Sequence, residues 1–207
     1  RGAFCKDVRA GRQLANTMVD IAHYHDRRAV ALITDMSQPL GRTVGNALEV
    51  REALATLQGA GPADLRHLCL TLGAEMMVLA QKATDHQTAR RQLEKLLASG
   101  AALSKLEEMV TAQGGDAEAI YDTDRLPRAP VQYKVIASQN GFITAVDALE
   151  VARAAMQLGA GRASKDDHID LAVGISNMSK VGEPVTCDNC LAVIHAQSQK
   201  QAKEVAP

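Results

Sequence analysis

The sequence predicts an α/β fold, in which a sheet covered by helices forms a first domain and a small α+β domain follows. Three observations predict it. Ala29-Val30-Ala31-Leu32-Ile33 has the length and branching of a buried strand, and it leads through a turn-rich loop into a helix. A train of amphipathic helices comes next, as the covering layers of an α/β domain require. At Tyr121-Asp122-Thr123-Asp124-Arg125-Leu126-Pro127-Arg128-Ala129-Pro130 two prolines and scattered charge mark an edge, and beyond it the apolar period changes. The expected division is 1–127 for the α/β part and 128–207 for the α+β domain.

Taken in order, Lys6 to His25 reads as a helix whose apolar face carries Val8, Leu14, Ala15, Met18, Val19, Ile21 and Ala22. His23 and His25 lie two apart and point to different helical faces, so they make a solvated helix end rather than a metal pair. The strand over Ala29–Ile33 stops at Thr34-Asp35. Ser37-Gln38-Pro39-Leu40-Gly41 turns the chain into a helix from Gly45 to Leu57 with Ala47, Val50, Leu54 and Leu57 at helical spacing. Pro62, with Asp64 in the first turn, opens another helix. Its stripe of Leu65, Leu68, Cys69, Leu72, Met76 and Leu79 predicts burial and makes Cys69 a core thiol. A carboxylate in so apolar a helix needs a partner, so Glu75 is expected in a structural salt bridge. Asp85 caps the next helix and Gly100 stops it; Ala101 to Ala112 forms one more, ended at Gly114-Gly115.

Beyond the linker, Val131, Tyr133 and Val135 alternate as in a strand. Asn140-Gly141 makes a turn before Phe142 and Ile143, Asp147 to Leu158 is a helix, and Ile169 to Ile175 is strand-like. A turn at Val181-Gly182-Glu183-Pro184-Val185 leads to a last strand, Leu191 to His195.

Bulk composition excludes several functions. With 23 basic and 24 acidic residues the net charge is −1, so no nucleic-acid or other polyanion partner is expected. Aromatics make up only 2% and Trp is absent, which argues against base-stacking platforms. No apolar run approaches the ~20 residues that span a membrane. No signal peptide is read at the start, and Cys5, Cys69, Cys187 and Cys190 show no secreted disulfide framework, so a cytoplasmic location is expected. The chain opens Arg1-Gly2-Ala3-Phe4 without Met, which reads as a piece of a longer protein.

Among the chemical motifs, Gly159-Ala160-Gly161-Arg162 follows a helix, whereas phosphate cradles precede one, so it reads as a helix stop. Cys187-Asp188-Asn189-Cys190 lacks the second pair a zinc knuckle needs and reads as incidental. The loop after Asp35 is the informative stretch. It offers free backbone carbonyls with Glu49 and Glu52 just behind, and carbonyls plus one carboxylate suit a hard cation. Read from pattern alone, the same stretch is also a solvated loop with a helix-start acid.

Several blocks, in order and at matching spacing, resemble the pyrimidine nucleoside phosphorylases, the family that includes thymidine phosphorylase. They are Gly2-Ala3-Phe4, Leu32-Ile33-Thr34-Asp35-Met36, Gln38-Pro39-Leu40-Gly41-Arg42, Val44 to Val50, Cys69 to Met76, Ala112-Gln113-Gly114-Gly115, Leu158 to Arg162 and Ala172 to Ile175. The resemblance implies phosphate-dependent cleavage of a uridine- or thymidine-type nucleoside to free base and (deoxy)ribose 1-phosphate, with phosphate as co-substrate. It implies a homodimer, and a C-terminal domain built as a compact sandwich similar to lipoyl carriers. It puts the phosphate loop and the Arg, Ser and Lys that hold the base upstream of Gly2, so no catalytic residue is expected in this chain. By resemblance Phe4 matches a wall of the pyrimidine pocket. A structural potassium ion near the phosphate loop would be met by the carbonyls of Leu40 and Thr43 and the carboxylate of Glu52; Thr43 stands where some relatives carry Ala. Alternatives are a phosphorylase of nucleoside monophosphates from the same superfamily, or a non-catalytic α/β interaction protein.

Overall fold

A computed structural model describes residues 5, 7–162 and 164–206. The first helix, α1, spans Val8–Tyr24 and starts where Asp7 accepts a hydrogen bond from Ala10 N at 2.8 Å. Its apolar face is only partly covered: Ala15, Val19 and Ala22 are half-buried, while Val8, Met18 and Ile21 are all more than half exposed. The strand expected over Ala29–Ile33 does not form, because a strand is completed by a neighbour's backbone groups and no described strand pairs with this run. Val30, Leu32 and Ile33 stay exposed accordingly.

Four helices follow, α2 (Asn46–Leu57), α3 (Ala63–Leu79), α4 (His86–Ala98) and α5 (Ala101–Ala112). Their starts are as expected: Pro62 precedes α3, and Asp85 caps α4 by accepting from Thr88 N at 2.8 Å. Helix α3 packs on α4 so closely that a Cβ at Gly73 would lie 2.9 Å from a methyl of Leu93. The expected burial of the whole α3 stripe is corrected. Only Leu70 and Ala74 are buried, while Cys69 and Met76 are exposed, because α4 covers one face and no described element covers the other. Glu75 has its partner, His86 Nε2 at 2.5 Å.

Two short 3-10 turns, Ala117–Ile120 and Thr123–Arg125, lead into the antiparallel part. Strands β1 (Val131–Ile136), β5 (Cys190–Ala196) and β3 (Gly174–Ser176) form one sheet in the order β1-β5-β3, with Ile194 opposite both Tyr133 and Ile175. Strands β2 (Gly141–Phe142) and β4 (Pro184–Val185) form a separate two-stranded ribbon. The strand expected over Ile169–Ile175 shrinks to Gly174–Ser176. Helix α6 (Ala148–Leu158) ends at Gly159 in the left-handed region (φ 100°), the helix stop read from the sequence. A final helix, α7 (Gln199–Val205), was not expected. The core of this part gathers Leu158, Val173, Ile175, Met178, Ile194, Ala196 and Ala202. Full burial of side chains such as Leu158 and Val173 contributes roughly 1.5–3 kcal/mol each.

The helical and antiparallel parts meet backbone to backbone. Val44 and Ile175 exchange both N–H···O bonds at 2.8 Å. Next to them a Cβ on Gly45 would lie 2.5 Å from the Val173 carbonyl, and one on Gly174 would lie 2.2 Å from the Val44 carbonyl. Both positions also have positive φ, so only glycine lets the start of α2 lie against β3.

Candidate functional site

That contact fixes the end of the loop that runs from Asp35 to Gly45. Its beginning is closed by Asp35, whose carboxylate accepts from Ser37 N at 2.8 Å and Ser37 Oγ at 2.9 Å. These bonds hold the Asp35 carboxyl below its ordinary range. At Gly41 the backbone turns left-handed (φ +68°), and a Cβ there would sit 2.1 Å from Glu52 Oε2. Glu52 comes from the second turn of α2 and reaches back to accept from Arg42 N at 2.9 Å. Glu49, one turn earlier, does something else: it caps its own helix by accepting from Gly45 N at 3.0 Å.

The loop is gripped from the antiparallel part by the turn between β3 and β4. Lys180 Nζ donates to the carbonyls of Pro39 and Gly41, the latter at 2.8 Å, and pairs with Asp64 Oδ2 at 2.8 Å. The same Asp64 oxygen accepts from Gly41 N at 3.2 Å. Burial pushes the Asp64 carboxyl up, but Lys180 and the amides of Leu65 and Gly41 outweigh it and the net shift is downward. Arg42 makes a bidentate pair with Glu183 and donates to the Met178 carbonyl at 3.0 Å. Arg42 and the Lys180 amide hold the Glu183 carboxyl down to about 2. Val181 N donates to Gln38 Oε1 at 3.0 Å.

These bonds leave a pattern in the loop's carbonyls. Pro39 and Gly41 give theirs to Lys180, Arg42 gives its to Met178 N at 3.1 Å, and Val44 gives its to Ile175 N. Among the described residues, the carbonyls of Leu40 and Thr43 accept no hydrogen bond. The Thr43 hydroxyl is buried without a partner as well. Arg42, Thr43 and Glu52 line a cavity of about 560 Å³ between α2 and the sheet, whose wall is completed by Arg51, Ser176 and His195. Arg51 donates to the carbonyls of Leu126 and Pro127 at 2.8 and 3.1 Å, so α2 holds the linker. Ser176 Oγ and His195 Nε2 lie 2.7 Å apart, and burial, helped by the Arg51 charge, pushes the His195 imidazolium down.

The structure thus brings Leu40, Thr43 and Glu52 into one loop-and-helix unit. The fourth residue read as a site, Phe4, lies outside the described residues. Among the described residues no group of three or more His, Cys, Asp or Glu side chains gathers as metal ligands. Cys187 and Cys190 are exposed free thiols, their sulfurs turned to the carbonyls of Ser138 and Ala192. Sequence reading missed Asp64, Lys180 and Glu183 as parts of this unit. Glu183 stood in a stretch legible only as a turn, Val181 to Val185, and Lys180 directly precedes it.

Residues 142–207 match the model of the pyrimidine nucleoside phosphorylase C-terminal domain, and residues 8–103 match that of the glycosyl transferase family a/b domain. A pyrimidine-nucleoside phosphorylase of Geobacillus stearothermophilus is 45% identical over 199 residues, and one of Bacillus subtilis (strain 168) is 45% identical over 205. Over nearly its whole length the chain is similar to the pyrimidine nucleoside phosphorylases. A relative of the same name from Staphylococcus aureus (strain USA300) is 45% identical over 198 residues. These alignments cover 96%, 99% and 96% of this chain but only 46%, 47% and 46% of the relatives, so the chain spans about half the length of the curated relatives it matches. Mixed helices with a small antiparallel sheet agree with an α/β domain followed by a small C-terminal domain, the fold class the sequence predicts.

Proposed function

We propose that this chain is the C-terminal portion of a pyrimidine-nucleoside phosphorylase, in which phosphate displaces the base of a uridine- or thymidine-type nucleoside to give free base and pentose 1-phosphate. Identity of 45% with proteins of that name over nearly the whole chain supports the reaction. Such a reaction needs hydrogen bonds to a base that leaves as an anion, room for a cation-like sugar, and a firm hold on the phosphate. The anchors for base and phosphate are assigned to the part of the protein outside this chain, and Phe4 to a wall of the base pocket. The whole protein is proposed to be a cytoplasmic homodimer.

What this chain contributes is a cation site. The single observation that carries this reading is the pair of unengaged carbonyls at Leu40 and Thr43, each flanked on both sides by carbonyls that are taken, with the Glu52 carboxylate held on the Arg42 amide between them. Neutral oxygens with one acid suit a large, weakly polarising ion such as potassium, and the buried Thr43 hydroxyl adds another neutral oxygen to that donor set. Bound there, potassium would supply a fixed positive charge beside the phosphate loop. Leu40 and Thr43 would hold it by their carbonyls and Glu52 by its carboxylate, while Arg42 N fixes the Glu52 oxygen that it binds.

The experiment is phosphorolysis by the full-length protein: release of uracil from uridine with phosphate present, with potassium varied against sodium. Phosphate-dependent release that requires potassium is expected. This 207-residue chain alone is expected to release none.

A further inference from the structure

Three amides of the loop itself do more than anchor it. A peptide unit is planar and trans, so its C=O and N–H point in opposite directions. Gly41 N–H is aimed at Asp64 Oδ2 (3.2 Å), which turns the Leu40 carbonyl away from Asp64. Arg42 N–H is aimed at Glu52, which turns the Gly41 carbonyl the other way, onto Lys180. Val44 N–H is aimed at the Ile175 carbonyl, which turns the Thr43 carbonyl away from the sheet. Lys180 is common to the first two peptides. It holds the carbonyls on both sides of Leu40 and neutralises the Asp64 carboxylate that receives the Gly41 amide. Its side chain is only 12% exposed, so the ammonium is withdrawn from solvent and held by oxygen atoms. Lys180 belongs to the turn after β3, about 140 positions beyond the loop in sequence.

We propose that Lys180 is a positioning residue for the cation site: a cation built into the C-terminal domain that, with Asp64, sets the peptide planes that present the Leu40 carbonyl. The role rests on the reading of Leu40, Thr43 and Glu52 as cation ligands. It makes the C-terminal domain a determinant of cation affinity, although the domain itself supplies none of those ligands. The sign of the effect separates this role from a neighbouring charge. Removing a mere neighbouring positive charge relieves repulsion and tightens cation binding. Removing a positioning residue lets the Leu40 peptide rotate and weakens it.

The test uses the full-length protein and three variants, Lys180→Met, Lys180→Arg and Glu52→Gln, at constant ionic strength with sodium replacing potassium. Two quantities are read: the potassium concentration for half-maximal activity, and the rise in Tm on adding potassium. For Lys180→Met the half-saturating potassium is expected to rise about tenfold, the loss typical of a charged hydrogen-bond donor, with kcat recovered at saturating potassium. The potassium-dependent rise in Tm should shrink in parallel, and Lys180→Arg should restore part of both. A shift in Glu52→Gln together with an unchanged or lowered requirement in Lys180→Met overturns the positioning role and leaves the ligand reading standing. An unchanged requirement in both variants overturns the two together. Should Lys180→Met not fold, Lys180→Gln, which keeps one amide donor, is read by the same criteria.

Discussion

The Glu52 carboxylate occupies the space that a side chain at Gly41 would need, since a Cβ there would lie 2.1 Å from Oε2. The left-handed backbone at Gly41 is therefore only part of why glycine stands at this position. Gly41→Ala should cost about 1 kcal/mol for the backbone alone. It should also push Glu52 off the Arg42 amide. The expected result is a protein that folds with a lowered Tm and needs more potassium for activity. A variant that loses stability but keeps its potassium requirement would show that Glu52 does not depend on this contact.

Glu49 and Glu52 lie on one helix and carry the same charge, yet the structure gives them different work. Glu49 caps its own helix at Gly45, and Glu52 reaches the loop at Arg42. Glu52→Gln should raise the potassium needed for half-maximal activity and weaken phosphate binding, at a cost of about 2 kcal/mol for a lost charged ligand. Glu49→Gln should leave the potassium requirement near wild type and cost about 1 kcal/mol of stability as a lost cap. Potassium titrations and thermal melts of the two variants separate these outcomes.

The sequence points to the candidate cation site from the loop alone. Leu40, Thr43 and Glu52 lie within 13 consecutive positions, so a run of neighbouring residues brings them to notice together. The grip on that loop was not legible, because Lys180 and Glu183 meet it 139 and 141 positions away, and a lysine and a glutamate in a turn look like solvated residues. Helix starts and stops were legible because Asp85, Asp147 and Gly159 act on their immediate neighbours. Helix α7 was missed because Gln199-Lys200-Gln201-Ala202-Lys203-Glu204-Val205 carries only two apolar residues, Ala202, which is wholly buried, and Val205 at its end. The burial of Cys69 was overestimated because the apolar stripe of α3 reports that a face wants covering, not whether this chain covers it.

His195 gives the pH dependence of the cavity wall. Burial first, and the Arg51 charge second, favour its neutral form in the folded state. Its folded pKa is below the ordinary 6.5, so the unfolded chain takes up protons more readily, and stability should fall as pH drops below 6.5 toward the folded value. His195→Gln should flatten that part of the profile of Tm against pH. An NMR titration of the His195 ring with a midpoint at or above 6.5 would contradict this assignment.

The pair Arg42–Glu183 should act at a lower pH and with a separate signature. Arg42 and the Lys180 amide hold the Glu183 carboxyl at about 2, below the ordinary value of 4.5. Its contribution is therefore fully present above 4.5 and is lost as pH falls through about 2, the direction expected of a depressed carboxylate. Both side chains are more than a third exposed, so solvent screens the pair and about 1 kcal/mol is the expected scale. Glu183→Gln should thus be less stable than wild type near neutral pH, and the two melting curves should converge between pH 4.5 and 2. Above that range Arg42 in the variant still donates to Met178, so the loop keeps one of its attachments. The variant should then show a modest rise in potassium requirement, smaller than that of Lys180→Met, because the Arg42 side chain leaves the Leu40 peptide to Asp64 and Lys180. Acid melts of the two proteins, followed by circular dichroism, test the convergence, and curves that stay parallel down to pH 2 would place the Glu183 contribution outside the ion pair.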